Sequence, residues 1–104
     1  GGANPVQLVH AAETCLANGR ADSALEKLTA ALSLGHSDSR VYFLRGEALR
    51  RMGEFDEAQE AFTHSLSLNP MEYECYHGRA LIFWHKGGAL EGLKIIVSPL
   101  PRQR

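Results

Sequence analysis

The sequence predicts an all-α fold, a solenoid of antiparallel helix pairs with about six helices. The main observation is a period of 34 residues, on which Gly19, Gly53 and Gly87 fall. Small residues and large apolar residues keep the same period in two further columns, Ala12–Gly46–Ala80 and Leu28–Phe62–Ile96. Small residues let two helices approach closely, and large apolar residues interlock them. A period of this length is typical of stacked helix pairs that form a surface for holding partners.

Turn residues delimit the helices of the first pair. Asn4 is a suitable N-cap and Pro5 a suitable first helical residue, so the first helix is predicted over 5–17. Gly19 ends it, because glycine readily adopts the left-handed backbone conformation. The second helix is predicted over 21–34, since its apolar residues keep helical spacing up to Gly35.

The second pair copies the first, and the third departs from it. Capping residues at 37–39 and a glycine at 53 predict a third helix ending near Met52, and the fourth follows over 55–68. A fifth helix is predicted from Met71 or Tyr73 to His85. The sixth, over 89–97, is short, because Gly92 interrupts its column of small residues and Pro99 cannot continue a helix.

These boundaries predict three repeats, over 5–36, 37–70 and 71–98, with the last degenerate, and a non-helical tail over 99–104. Residues 1–4 comprise the N-cap and a Gly-Gly pair typical of an expression-tag remnant. Whether the chain is a fragment of a longer protein stays open.

Composition excludes several functional classes. The chain has 104 residues and a net charge of −1, with 11 basic and 12 acidic side chains, so neither a nucleic-acid nor a membrane-surface partner is expected. No run approaches the roughly 20 apolar residues of a membrane span. Cys15 and Cys75 lie far apart and do not form a disulfide framework, which predicts an intracellular, cytoplasmic protein.

The repeats resemble the tetratricopeptide repeat family, whose pattern spans 34 residues. The middle repeat matches best, through Tyr42, Gly46, Leu49, Gly53, Ala58, Phe62 and Pro70. The resemblance covers about residues 5–97. It implies a right-handed superhelix and a non-catalytic scaffold or adaptor that binds a peptide or partner helix in a concave groove, which the first helix of each pair lines.

Helical spacing within these first helices predicts which residues line the groove. They are Val9, Glu13 and Leu16 from the first pair, Phe43, Glu47, Arg50 and Arg51 from the second, and His77, Leu81 and Trp84 from the third. The apolar members are anchor candidates for an apolar or amphipathic segment. For Trp84, burial against the sixth helix or a following repeat is an equally good interpretation.

One known use of such grooves is not expected here. Relatives that clamp the C-terminal carboxylate of heat-shock chaperones use lysine, asparagine and arginine side chains. The matching positions hold Val9, Glu13, Leu44, Glu74 and Gly78. Two of these are acidic and would repel a carboxylate, so the resemblance does not extend to the clamp.

Two alternatives come from other classes of function. An enzyme is not expected, because no phosphate-binding loop, paired metal motif or nucleophile elbow occurs, and neither a metal nor a cofactor is predicted. Self-association is the stronger alternative. The short sixth helix leaves apolar residues of the third pair uncovered, and a terminal repeat normally needs a polar cap, so a homodimer through this edge stays open.

Overall fold

The computed structural model describes residues 4–87, and these form five α-helices without a strand. The helices are α1 (Pro5–Ala17), α2 (Ala21–Ser33), α3 (Ser39–Arg51), α4 (Phe55–Leu68) and α5 (Glu74–Gly87). The all-α class is confirmed, and each of the five predicted helices is present with bounds that differ by at most a few residues. The predicted sixth helix, the tail and the Gly-Gly pair lie outside the described residues.

The helix ends follow the capping chemistry in the sequence. Asn4 accepts a hydrogen bond from the Val6 amide at 2.8 Å, and Asp38 accepts one from the Val41 amide at 3.0 Å. Such side chains satisfy amides that have no partner inside the helix. Gly19 and Gly53 have φ values of +77° and +84°, and each lies between the two helices of a pair. A residue with a Cβ would be strained there, so these glycines fix where the chain reverses.

The central helix is α3, which contacts all four other helices of the described region. Its buried side is continuous with the faces of α1, α2, α4 and α5 in one apolar cluster. Phe62 of α4 is fully buried in that cluster. A Cβ built on Gly46 of α3 would lie 2.6 Å from its ring, and one built on Gly78 of α5 would lie 2.5 Å from it. The two glycines therefore let α3 and α5 close on the Phe62 ring.

One buried polar group also connects the helices. Ser65 of α4 is fully buried, and its hydroxyl donates a 2.7 Å hydrogen bond to the Ser39 carbonyl at the start of α3. Cys75 is buried beside it. Burial raises the pKa of the Cys75 thiol, although the Ser65 hydroxyl opposes the shift, so this thiol stays protonated and unreactive.

None of the helices between residues 4 and 87 has both the length and the apolar character needed to cross a membrane.

Candidate functional site

A concavity of about 310 Å³ lies where α1, α3 and α5 meet. We call it the groove. Three helices contribute to it, and their side chains converge from different parts of the sequence. The lining residues are Glu13, Leu16, Ala17, Arg40, Phe43, Leu44, Glu47, Arg51 and Glu74.

The floor of the groove is apolar and belongs to the core. Leu16, Phe43 and Leu44 line it, and all three are buried. The Phe43 ring is only 6% exposed and lies 6.1 Å from the Phe62 ring, centroid to centroid. The floor therefore rests on the Phe62 packing and offers a thin strip of apolar surface.

Arg40 occupies one side of the groove among three carboxylates. Its Nη1 donates to Glu74 at 2.8 Å and to Glu72 at 3.4 Å, and its Nη2 lies 3.6 Å from Glu13. The guanidinium also lies 4.9 Å from the centroid of the Phe43 ring, a cation–π distance. Burial alone would lower the pKa of Arg40, but Glu74, Glu13 and Glu72 raise it, so the group stays charged.

Glu47 occupies the opposite side and is held by two arginines. Arg50 donates to both of its oxygens, at 3.0 and 2.9 Å, and Arg51 lies 3.3 Å away. Arg51 also donates to the Leu16 carbonyl at 2.8 Å, which ties α3 to the end of α1. Burial alone would raise the pKa of Glu47, but the hydrogen bonds and charge of Arg50, followed by Arg51, outweigh it and lower the pKa.

The lowered pKa makes the contribution of Glu47 to stability dependent on pH. Because the folded pKa lies below the unfolded one, this contribution is present above the unfolded pKa and is lost as the pH falls through the folded pKa. We expect Glu47→Gln to lower the free energy of unfolding by about 1 kcal/mol at neutral pH. Urea unfolding across the acid range should show the gap to the native chain closing below about pH 4.

The matched control for that measurement is Glu60→Gln, because Glu60 is exposed on α4. We expect it to change stability little at any pH. A gap for Glu47→Gln that widens towards acid would contradict the assignment.

The structure brings half of the predicted groove residues together. Glu13, Leu16, Phe43, Glu47 and Arg51 line the groove, and Val9, Arg50, His77, Leu81 and Trp84 do not. Their locations explain this. Val9 packs against the core cluster, and Arg50 turns towards Glu47. His77 and Trp84 are exposed on α5, and Leu81 is half-buried there. Phe43 lines the groove as predicted, but it is a core residue rather than a free anchor.

Two lining residues, Arg40 and Ala17, were not among the predicted ones. The sequence holds a signal for Arg40, because it lies one period before Glu74 and one helical turn before Phe43 and Leu44. Ala17 falls on the column of Arg51, one period earlier. Spacing alone would have found both residues if the face had been extended by one position at each end.

Other concavities in residues 4–87 converge less. A shallow one of about 840 Å³ runs along α4, but every residue lining it belongs to that single helix: Asp56, Gln59, Glu60, Thr63, His64 and Ser67. One helix cannot surround a ligand. Within the same range, no three His, Cys, Asp or Glu side chains are grouped so that they could hold a metal ion.

Comparison with known proteins identifies the central pair. Residues 39–71 match the family model of the tetratricopeptide repeat, and this range spans α3, α4 and the start of the following turn. No curated protein matches the chain. The matched range contains both the Gly46–Phe62 contact and the central part of the groove lining. The chain therefore belongs to the tetratricopeptide repeat family, whose repeats are in general non-catalytic modules for protein–protein interaction.

Proposed function

We propose that this protein is a scaffold or adaptor that binds a peptide or a partner helix in the groove, and that it is not an enzyme. The observation that carries the proposal is the convergence of α1, α3 and α5 on one concavity with an apolar floor and charged sides. Such a floor accepts an apolar side chain, and the charged sides select its neighbours.

The repeat organisation is part of this proposal. We infer that α1–α2 and α3–α4 are two repeats over 5–36 and 37–70, and that α5 opens a third one. The family match over residues 39–71 supports the second. An intracellular, cytoplasmic location is also proposed. It is supported by Cys15 and Cys75, which are both free thiols.

The groove is proposed not to be a chaperone carboxylate clamp. Among the matching positions, Leu44 is buried and Gly78 lies beneath the Phe62 ring. Arg40 is a cation in the groove, but its hydrogen bonds go to Glu72 and Glu74. An acidic peptide ending in a free carboxylate should therefore bind no more tightly than millimolar. Micromolar binding that is lost on Glu13→Ala or Glu74→Ala would overturn this.

A substitution that blocks the groove without disturbing the core tests the main proposal. Ala17 lines the groove, is exposed and is the last residue of α1, so Ala17→Arg adds bulk there without removing a packed side chain. Peptides of 12 residues would first be selected from a random phage-displayed library on the full chain. We expect their affinity, measured by fluorescence anisotropy, to fall at least about tenfold in Ala17→Arg, as steric blocks of an interface centre do.

Ser33→Arg is the matched control, because Ser33 is the exposed last residue of α2 and lies outside the groove. We expect this variant to bind as the native chain does. If no peptide is selected, or if every selected peptide binds Ala17→Arg normally, the groove is not the binding surface.

Self-association is a second candidate, supported by the exposed apolar side chains of α5 and the turn before it. Tyr73, Tyr76, Phe83 and Trp84 are all exposed. Such a row of large apolar residues is typical of an interaction surface. The proposed occupant is a second copy of the chain, packed edge to edge through the third repeat. A mass corresponding to a monomer of 11.4 kDa at high concentration would exclude it.

A further inference from the structure

The charges on the two sides of the groove are unequal. Around Arg40 lie three carboxylates, those of Glu13, Glu72 and Glu74, so this side carries two uncompensated negative charges at neutral pH. On the other side the single carboxylate of Glu47 faces Arg50 and Arg51. A charged segment lying across the groove therefore meets an acidic side and a basic side, and the buried Phe43 lies between them.

The carboxylates around Arg40 differ in how well they are satisfied. Glu72 is only 15% exposed and accepts hydrogen bonds from both Ser39, at 3.0 Å, and Arg40. Glu74 accepts the shortest bond from Arg40. Glu13 lines the groove with its side chain 37% exposed, and among residues 4–87 it accepts no hydrogen bond, since Arg40 and His10 stop at 3.6 and 3.5 Å. Its carboxylate keeps acceptor capacity that faces the groove.

We propose that the groove recognises a partner segment through a lysine or arginine next to an apolar residue. The basic group would lie between Glu13 and Glu74, beside Arg40, and the apolar side chain would lie over Leu16 and Phe43. Both carboxylates line the concavity, and a second cation between them matches the net charge that Arg40 leaves uncompensated. An acidic group in the same place would face the repulsion of Glu13 and Glu74.

This inference rests on the proposed function, and the same selected peptides test it separately. We expect them to be enriched in lysine or arginine next to an apolar residue. The protein variant Glu13→Gln with Glu74→Gln should weaken such a peptide about five- to tenfold, as expected for partly exposed ion pairs. It should change the affinity of the same peptide with glutamine in place of the basic residue less than twofold. Raising the salt concentration should reduce the difference between the two peptides.

The matched control is the pair Glu26→Gln with Glu60→Gln, because both side chains are exposed on α2 and α4. It removes the same charge from the protein and should leave the basic peptide bound as before. Circular dichroism melts would show that both double variants remain folded. Equal weakening in both double variants would reduce the effect to net charge and overturn the inference.

The two proposals fail differently. Peptides that are blocked by Ala17→Arg but carry no basic residue, or carry an acidic one, would overturn the inference and leave groove binding intact. Peptides that ignore Ala17→Arg would overturn groove binding itself.

Discussion

Phe62→Ala is expected to lower the free energy of unfolding by about 3–5 kcal/mol, the range for truncating a fully buried phenylalanine. The Phe62 ring lies between α3 and α5, against Gly46 and Gly78. Glycines cannot fill the space that the ring would leave, because neither has a side chain that can move into it. Since small domains are stable by only about 5–15 kcal/mol, much of the stability of the chain would be lost.

Urea denaturation followed by circular dichroism measures this effect. The control is Leu34→Ala, which also truncates an apolar side chain, but one that is 52% exposed at the end of α2. We expect the control to change stability by less than about 0.5 kcal/mol. If Phe62→Ala leaves no folded baseline, Phe62→Leu gives a measurable intermediate. A loss below about 1 kcal/mol for Phe62→Ala would contradict the central role of this ring.

Most of the described fold could be predicted from the sequence, because local chemistry determines where the helices end. Gly19, Gly35 and Gly53 all adopt positive φ, as their positions after predicted helices required. Asn4 and Asp38 cap the helices that they precede. The pairing of helices follows from the short turns between them. These features depend on a few neighbouring residues, so a single sequence contains them in full.

The groove could be predicted only in part, because spacing gives a helix face but not its depth. Phe43 and Glu47 lie on one face of α3, and both line the groove. The spacing did not show that Phe43 is buried against Phe62, since that depends on how closely α4 approaches. Nor did it show that Arg40 pairs with Glu74 across a whole period, because side-chain pairing depends on the packing between repeats.

The core and the groove are therefore one structural problem. Phe62 supports Phe43, Phe43 forms the groove floor, and Arg40 lies over the Phe43 ring. A change in the distance between α3 and α4 would move the floor relative to the charged sides. This makes Phe43→Ala a poor test of binding, because it would disturb packing and groove together. Substitutions at the exposed rim, such as Ala17→Arg, separate the two.

Gly46→Ala is expected to destabilise the chain by about 1–2 kcal/mol, although alanine favours a helix over glycine by about 1 kcal/mol. The added Cβ would lie 2.6 Å from two carbons of the Phe62 ring. The ring cannot retreat, because α5 holds its other side at Gly78. Overpacking of this kind in a core costs about 1–3 kcal/mol and exceeds the gain in helix propensity.

The sign of the effect should reverse when the ring is replaced. In the first repeat the same two columns hold Ala12 and Leu28, both fully buried, so the smaller apolar residue accompanies the larger small residue. We therefore expect Gly46→Ala to be neutral or stabilising, by up to about 1 kcal/mol, in a Phe62→Leu background. A double-mutant cycle of urea unfolding measures this coupling. If Gly46→Ala costs the same in both backgrounds, the glycine is not there to admit the ring, and the correspondence between the two repeats does not extend to their packing.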